Sequence, residues 1–251
     1  MIGRGRSWRT KSGFDGERMA LNRVLQMSAL TLALLLLSSA AWAQQTPLDQ
    51  IIQKMDQTAA NFHTTEASFV WDQYQKVVDE TDTQAGKVYF RRTGNGIEMA
   101  ADITAPAPEQ VVFTESRVRV YQPRIDQVTV YKTGKDKAAV ESFLVLGFGG
   151  SGQDMLKSYE VKHLGPEKLA GTEVAKLELI PKSQKVKDNY VNRILLWVDV
   201  ARGISLQQQL FTPSGDYRLA KYADIKLNEK ISDAAFKLRT TSRTKVVSPQ
   251  G

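Results

Sequence analysis

The sequence predicts a mainly β protein whose antiparallel sheet is covered on one face by helices, and three observations carry that prediction. Apolar and polar residues alternate with period two across residues 67–131, the pattern of half-buried antiparallel strands. Strand-like stretches return after residue 159, separated by Gly165-Pro166, Gly171 and Arg202-Gly203. Two other segments, Leu48 to Phe62 and Val140 to Phe148, space their apolar residues as helices do, although Ser142 to Gly147 also fits a buried strand and periodicity alone does not separate the two. The composition, 42% hydrophobic and 24% charged, is that of a globular chain, and without cysteine the fold must rest on its core. The 208 residues from Gln44 onward suffice for one β-rich domain over 44–239, with a loose tail over 240–251.

Residues 1–43 read as a leader. Arg23 supplies a positive n-region, Met27 to Leu37 an apolar h-region, and Ala41-Trp42-Ala43 the small-x-small cleavage pattern. That apolar run is shorter than the roughly 20 residues a spanning helix needs. Met19 is the expected start, and cleavage after Ala43 is expected to release the chain into the periplasm. The leader also explains the charge: six Lys/Arg and two Asp/Glu lie in it, so +4 of the formal +7 belongs to the leader. The remainder gives little reason to expect a nucleic-acid partner. Arg91-Arg92 and Lys132 to Lys137 lack the interleaved aromatic residues of single-strand binding and are assigned to solvated turns.

Beyond the leader, Thr46 is placed to cap a helix, Pro47 suits its first position, and Asp49 favours its N-terminus. Leu48, Ile51, Ile52, Met55, Ala59 and Phe62 then form one apolar face over about four turns. Strand positions follow at Phe69 and Trp71, Val88 and Phe90, Ile97 to Ile103, Val111 and Phe113, Val118 and Val120, and Val128 and Val130. Later strands are expected over Val174 to Ile180, Ile194 to Val198, Ile204 to Phe211 and Tyr217 to Leu227, with Pro213-Ser214-Gly215-Asp216 as a hairpin turn. Ser232 to Lys237 fits one helical turn.

Gly147-x-Gly149-x-x-Gly152 matches the dinucleotide-binding fingerprint, but the surroundings do not support it. That fingerprint needs a long helix and then a parallel strand. Here only Met155, Leu156 and Tyr159 suit a short helix before Gly165-Pro166. Gln153 stands where a phosphate loop requires lysine, and Gly149-Gly150-Ser151-Gly152-Gln153 misses the nucleophile elbow by its last residue. His63 and His163 are isolated, so no zinc set is expected. Asp79-Glu80-Thr81-Asp82 lacks the spacing and glycine of a calcium loop. No catalytic residue and no cofactor is therefore predicted, although spacing alone does not identify or exclude an acid–base carboxylate pair. An apolar sheet face must be covered. If the sheet curls under its helices it forms either a container for something apolar or a dry, filled barrel.

Four segments make the sequence similar to the outer-membrane lipoprotein carrier family, the LolA-like periplasmic chaperones. They are the N-terminal amphipathic helix running into "ASFVWDQYQ" and "GKVYFRRTG", the stretch "VRVYQPRIDQVTVY", the apolar glycine-containing insertion at 140–155, and "LLWVDVARGISLQQQLF". The resemblance implies an unclosed antiparallel β-barrel, a half-barrel with a helical lid, whose cavity takes the acyl chains of lipoproteins. It implies a monomeric carrier that receives cargo from an inner-membrane ABC-type release complex and passes it to an outer-membrane receptor. Lipid-binding and envelope-sensing proteins share the fold, and a sensor or a hydrolytic enzyme are the alternatives kept. On this basis Phe69, Trp71, Val88, Phe90, Met99, Val118, Val120, Val128, Val130, Leu177, Leu179 and Leu196 are assigned to the cavity. Ile51, Ile52, Met55, Val140, Phe143, Leu144 and Phe148 are assigned to the lid, with Gly149 to Gly152 as its flexible joint.

One departure from the family concerns the latch. In the family an arginine after the basic-Pro-Gly turn closes the lid by hydrogen bonds to backbone carbonyls. Here Arg91-Arg92-Thr93-Gly94 is followed by Asn95-Gly96-Ile97-Glu98, which leaves Ile97 at the expected latch position. Intact mass of the exported protein is expected to show a chain beginning at Gln44 without an added acyl group. A retained leader or an acyl mass would contradict the soluble-carrier expectation.

Overall fold

The computed structural model describes residues 48–94, 96–114, 117–132, 146 and 148–249. Helix α1 (Leu48–Ala60) leads into β1 (Thr64–Gln75), β2 (Glu80–Thr93), β3 (Gly96–Ala105), β4 (Glu109–Thr114), β5 (Arg117–Gln122) and β6 (Gln127–Lys132). After α2 (Gly152–Ser158) come β7 (Tyr159–Leu169), β8 (Thr172–Pro181), α3 (Gln184–Asn189), β9 (Arg193–Asp199), β10 (Ile204–Phe211) and β11 (Tyr217–Leu227). A 3₁₀ turn at Asp233–Phe236 and β12 (Lys245–Val247) complete the described chain.

Among the described residues twelve strands form one sheet in the order β12-β6-β5-β4-β3-β2-β1-β11-β10-β9-β8-β7. The chain starts near the middle of the sheet, builds outward to β6, restarts at the opposite edge with β7 and returns until β11 pairs with β1. Because β7 and β12 lie at opposite edges, the barrel is unclosed. Every pairing is antiparallel except β12 with β6. The edge strand β7 carries Gly165 and Pro166 at a register shift; an irregular proline-bearing edge discourages pairing with another chain.

Period-two sequence translates directly into two faces. In β1, Thr65, Ala67 and Phe69 are buried on the inner face, and their cross-strand neighbours Val88 and Phe90 join the same cluster. The inner face holds two packed regions. One gathers Phe69, Val88, Phe90, Met99, Ile103 and Phe113; the other gathers Leu177, Leu179, Ile194, Leu196 and Val198 with α1. The outer face has smaller clusters, one of which seats Phe236 of the 3₁₀ turn on Ala100 and Val112.

Three features depart from the sequence expectations. The β1–β2 hairpin runs well past Trp71, and its far end, including Val77 and Val78, is exposed, so no buried face marks it in the sequence. Helix α3 is polar, has no fully buried residue and was not expected. The tail, expected to be loose, instead forms β12. Asp126, in the left-handed region at φ 46°, anchors it: its carboxylate accepts from Thr241 Oγ1 (2.8 Å) and Thr244 Oγ1 (2.6 Å), and its carbonyl accepts from Lys245 N (2.9 Å).

The hydroxyls of Thr244 and Thr241 hold the Asp126 carboxyl below its usual range. A depressed folded pKa gives stability that is complete above the unfolded value, about 3.9 for aspartate, and lost as pH falls through the lower folded value. The Lys245–Val247 amides are therefore expected to lose hydrogen-exchange protection below about pH 4 while β1 and β2 remain protected. Simultaneous loss throughout the sheet would contradict this anchor.

Candidate functional site

The strands bring most of the predicted cavity residues together on the inner face. Phe69, Val88, Phe90, Met99, Leu177, Leu179 and Leu196 are buried there, with Trp71 and Val118 packed against them half-buried. Val120 pairs with Val111, another member of that packing. Val128 and Val130 do not belong with them. Val130 lies opposite Arg119 and Val128 opposite Tyr121, which puts both on the outer face. A shift of one residue in register reverses the face of every side chain, and the β5–β6 connection supplies the odd parity.

Above the inner face, α1 places Ile51, Ile52 and Met55 on the Leu177 cluster, while Phe62 just beyond it reaches the Phe90 cluster. Of the other lid positions, Val140, Phe143 and Leu144 lie outside the described residues. Phe148 is fully buried. Its ring stacks on Phe90 at 5.3 Å between centroids and meets Tyr222 edge-on at 4.7 Å. Burial pushes the Tyr222 hydroxyl pKa up, so that ring stays neutral. Phe148 therefore fills the space between the β2 and β11 parts of the sheet.

The chain around Phe148 is fixed from both sides. Arg92 Nη2 donates to the Gly149 carbonyl at 2.7 Å, and the buried Gln208 Nε2 donates to the Leu146 carbonyl. Arg92 thus makes the arginine-to-carbonyl contact expected of a latch, whereas its cross-strand partner Ile97 is half-buried on the hydrophobic cluster. The signal was present in the sequence: Val88, Phe90 and Arg92 fall on one face at period two. Gln208 carried no comparable signal, lying in a run of three glutamines.

The glycines do not form a loose joint. Gly149 has φ +78°, and a Cβ there would lie 2.3 Å from the Phe62 ring. A Cβ on Gly152 would approach the Ile52 carbonyl oxygen to 2.7 Å. These glycines permit close packing against α1 and the Phe62 that follows it. Ser151 Oγ caps α2 by accepting from Asp154 N at 2.9 Å, and Asp56 of α1 accepts from Gln153 N at 3.0 Å. Gly149 and Gly152 of the Gly-x-Gly-x-x-Gly spacing therefore serve close packing here.

Beside this cover opens a pocket of about 690 Å³. Met55, Ala59, Ile97, Leu146, Met155 and Tyr159 give it apolar walls, while Arg92, Asp56 and Asp154 contribute polar groups. Its size suits a small apolar ligand or part of a larger one. Lys157, bonded to Asp154 at 2.7 Å, keeps that carboxyl below its usual pKa and so charged. Among the described residues no group of three or more His, Asp or Glu is placed to hold a metal ion.

Replacing Arg92 with alanine is expected to cost about 1.5–3 kcal/mol, the usual worth of a hydrogen bond to a charged group. The loss should appear as faster hydrogen exchange confined to the Phe148–Ser151 amides. Unchanged exchange there would remove Arg92 from the latch. Gly152→Ala is expected to destabilise the whole protein by about 1–3 kcal/mol in denaturant titration through overpacking on α1.

The family described as outer membrane lipoprotein carrier protein LolA has a sequence model that matches residues 60–239. An uncharacterized conserved protein from Thermus thermophilus has a solved structure similar to this chain, with a TM-score of 0.50 and 14% identity over 80% of this chain and 98% of that one. The complex of MucA with MucB from Pseudomonas aeruginosa is similar with a TM-score of 0.47 and 12% identity, over 76% of this chain and 60% of that chain. LolA superfamily protein NE2245 from Nitrosomonas europaea has a TM-score of 0.38 and 14% identity, over 76% and 97%. This chain spans 60 to 64% of the MucB chains it matches. No curated protein matches. At such identities the solved structures speak to fold alone; the family match extends across residues 60–239 of 251, and the chain belongs to the outer membrane lipoprotein carrier protein LolA family.

Proposed function

We propose that the protein is a periplasmic carrier that shelters the acyl chains of lipoproteins against the inner face of its sheet and moves them from the inner to the outer membrane. Its partners in this scheme are an inner-membrane ABC-type release complex and an outer-membrane receptor. The observation that carries the proposal is Phe148, an apolar side chain seated inside the sheet on a segment held by two side-chain hydrogen bonds. A segment so placed acts as a plug that an acyl chain replaces.

The energies fit such an exchange. Exposing Phe148 costs about 1.5–3 kcal/mol, breaking the Arg92 contact about 1.5–3 kcal/mol more, and breaking the neutral Gln208 contact about 0.5–1.5 kcal/mol. Each buried methylene returns about 0.8 kcal/mol. Roughly four to nine methylenes therefore offset the opening, and the longer chains of a lipoprotein leave a surplus. Short-chain esters below about this length are expected to leave the plug in place.

Mass spectrometry of material copurifying with the protein from its own envelope tests the role directly. Acylated proteins or lipids support the carrier. A stable complex with a membrane-bound regulator and no acyl species would favour a sensor, and turnover of a bound compound would favour an enzyme. Phe148→Ala is expected to remain cooperatively folded and to bind an apolar fluorescent probe about tenfold or more tightly, because the cost of displacing the ring is gone. Equal affinity in the folded variant would exclude the plug. Photo-crosslinkers at Met99 should trap cargo, whereas those at Arg119, on the other face, should not.

A further inference from the structure

The outer face carries a second pocket, of about 420 Å³, formed where β2 to β5 meet the Asp233–Phe236 turn. Four cations line it, Arg91, Arg117, Arg119 and Lys237, against two carboxylates, Glu98 and Asp233. Both carboxylates are engaged by a single cation. Arg91 bonds Glu98 through Nε (3.0 Å) and Nη2 (2.6 Å) and reaches Asp233 through Nη1. Its guanidinium also lies 4.2 Å from the centroid of the Phe236 ring. Arg91 is thereby immobilised as a wall of the pocket, and with its two carboxylates forms a trio of net charge −1.

The other cations have no such compensation. Arg119 donates to Thr114 Oγ1 at 2.9 Å, a neutral partner. Arg117 and Lys237 have no carboxylate partner among the described residues. The sheet register sharpens the point, because Arg117 lies directly opposite Lys132 on β6. Like charges placed directly across a pair of strands are destabilising. Among the described residues the lining therefore keeps a net charge of +2, four cations against two carboxylates, and an anion would relieve the repulsion. Guanidinium groups favour oxyanions because their N–H donors match oxygen pairs, and the Thr114 hydroxyl adds one more polar group.

We propose that this pocket binds a phosphate-bearing anion through Arg117, Arg119 and Lys237, with Arg91 as its fixed wall. A phosphate carries more charge and more acceptor oxygens than one carboxylate, which matches several convergent cations. The pocket lies on the face opposite Phe148 and the apolar mouth, so its occupancy does not require the acyl site to be filled. Arg91 and Arg92 occupy successive positions of β2 and point to opposite faces. A phosphate carried by a lipid headgroup would hold this outer face on a membrane surface; a free phosphate would only occupy the pocket.

Two probes separate these sources: inorganic phosphate, and phosphatidylcholine vesicles with and without phosphatidylglycerol. Binding is followed by amide chemical shifts of the full chain at Thr114, Arg117, Arg119 and Lys237, and by vesicle cosedimentation at low and high salt. The comparison variant is Arg117→Ser combined with Arg119→Ser, checked for native circular dichroism. Saturable shifts with inorganic phosphate that vanish in the variant support the site with free phosphate as its ligand. Salt-sensitive binding to the phosphatidylglycerol vesicles that falls about tenfold or more in the folded variant supports the headgroup. Binding of both probes unchanged by the variant, or no localised shift with either, would overturn the proposal.

Discussion

Phe148 stands at the centre of this structure because the inner face of an unclosed sheet has no second sheet to pack against. The twelve strands supply Phe69, Phe90, Met99 and Phe113 on one side and Leu177, Ile194 and Leu196 on the other. Apolar surface of that extent must be removed from water. Helices α1 and α2 cover part of it, and the ring of Phe148 fills the space between Phe90 and Tyr222. The Arg92 and Gln208 contacts, the capped start of α2 and the close approach of Gly149 to Phe62 all hold that ring in place.

Such an arrangement is suited to exchange. Aromatic packing of one residue is worth a few kcal/mol, enough to keep the cover closed and small beside the burial of a long alkyl chain. Charge on Arg92 strengthens its bond to the Gly149 carbonyl without creating a deeply buried ion pair, which would be far more costly to break. The edges offer little to another chain: β7 carries Gly165 and Pro166 at a register shift, and at the other edge β6 is paired by the three-residue β12.

Much of this was legible in the sequence because the inner face repeats at period two and α1 at helical spacing. Phe69, Val88, Phe90, Met99 and Leu196 announced their burial by position alone, as did Ile51, Ile52 and Met55. Val128 and Val130 could not be placed in the same way. Two strands that each read as alternating valines do not reveal whether the valines share a face; here Gln122 pairs with Gln127 and the connection sets Val128 against Tyr121. The tail was unreadable for a related reason, since β12 is only three residues long and is fixed by hydroxyls of Thr241 and Thr244 on a distant aspartate. Arg91-Arg92 looked like a solvated turn, yet lies within β2 with one arginine on each face.

The central claim is that an acyl chain takes the place of the Phe148 ring. Nuclear Overhauser contacts of that ring with Phe90 and Tyr222, recorded before and after addition of a triacylated lipopeptide, test it most directly. The account predicts that these contacts disappear and that acyl methylenes gain contacts with Phe90 and Met99. Bound lipopeptide with the Phe148 contacts to Phe90 and Tyr222 intact would contradict it.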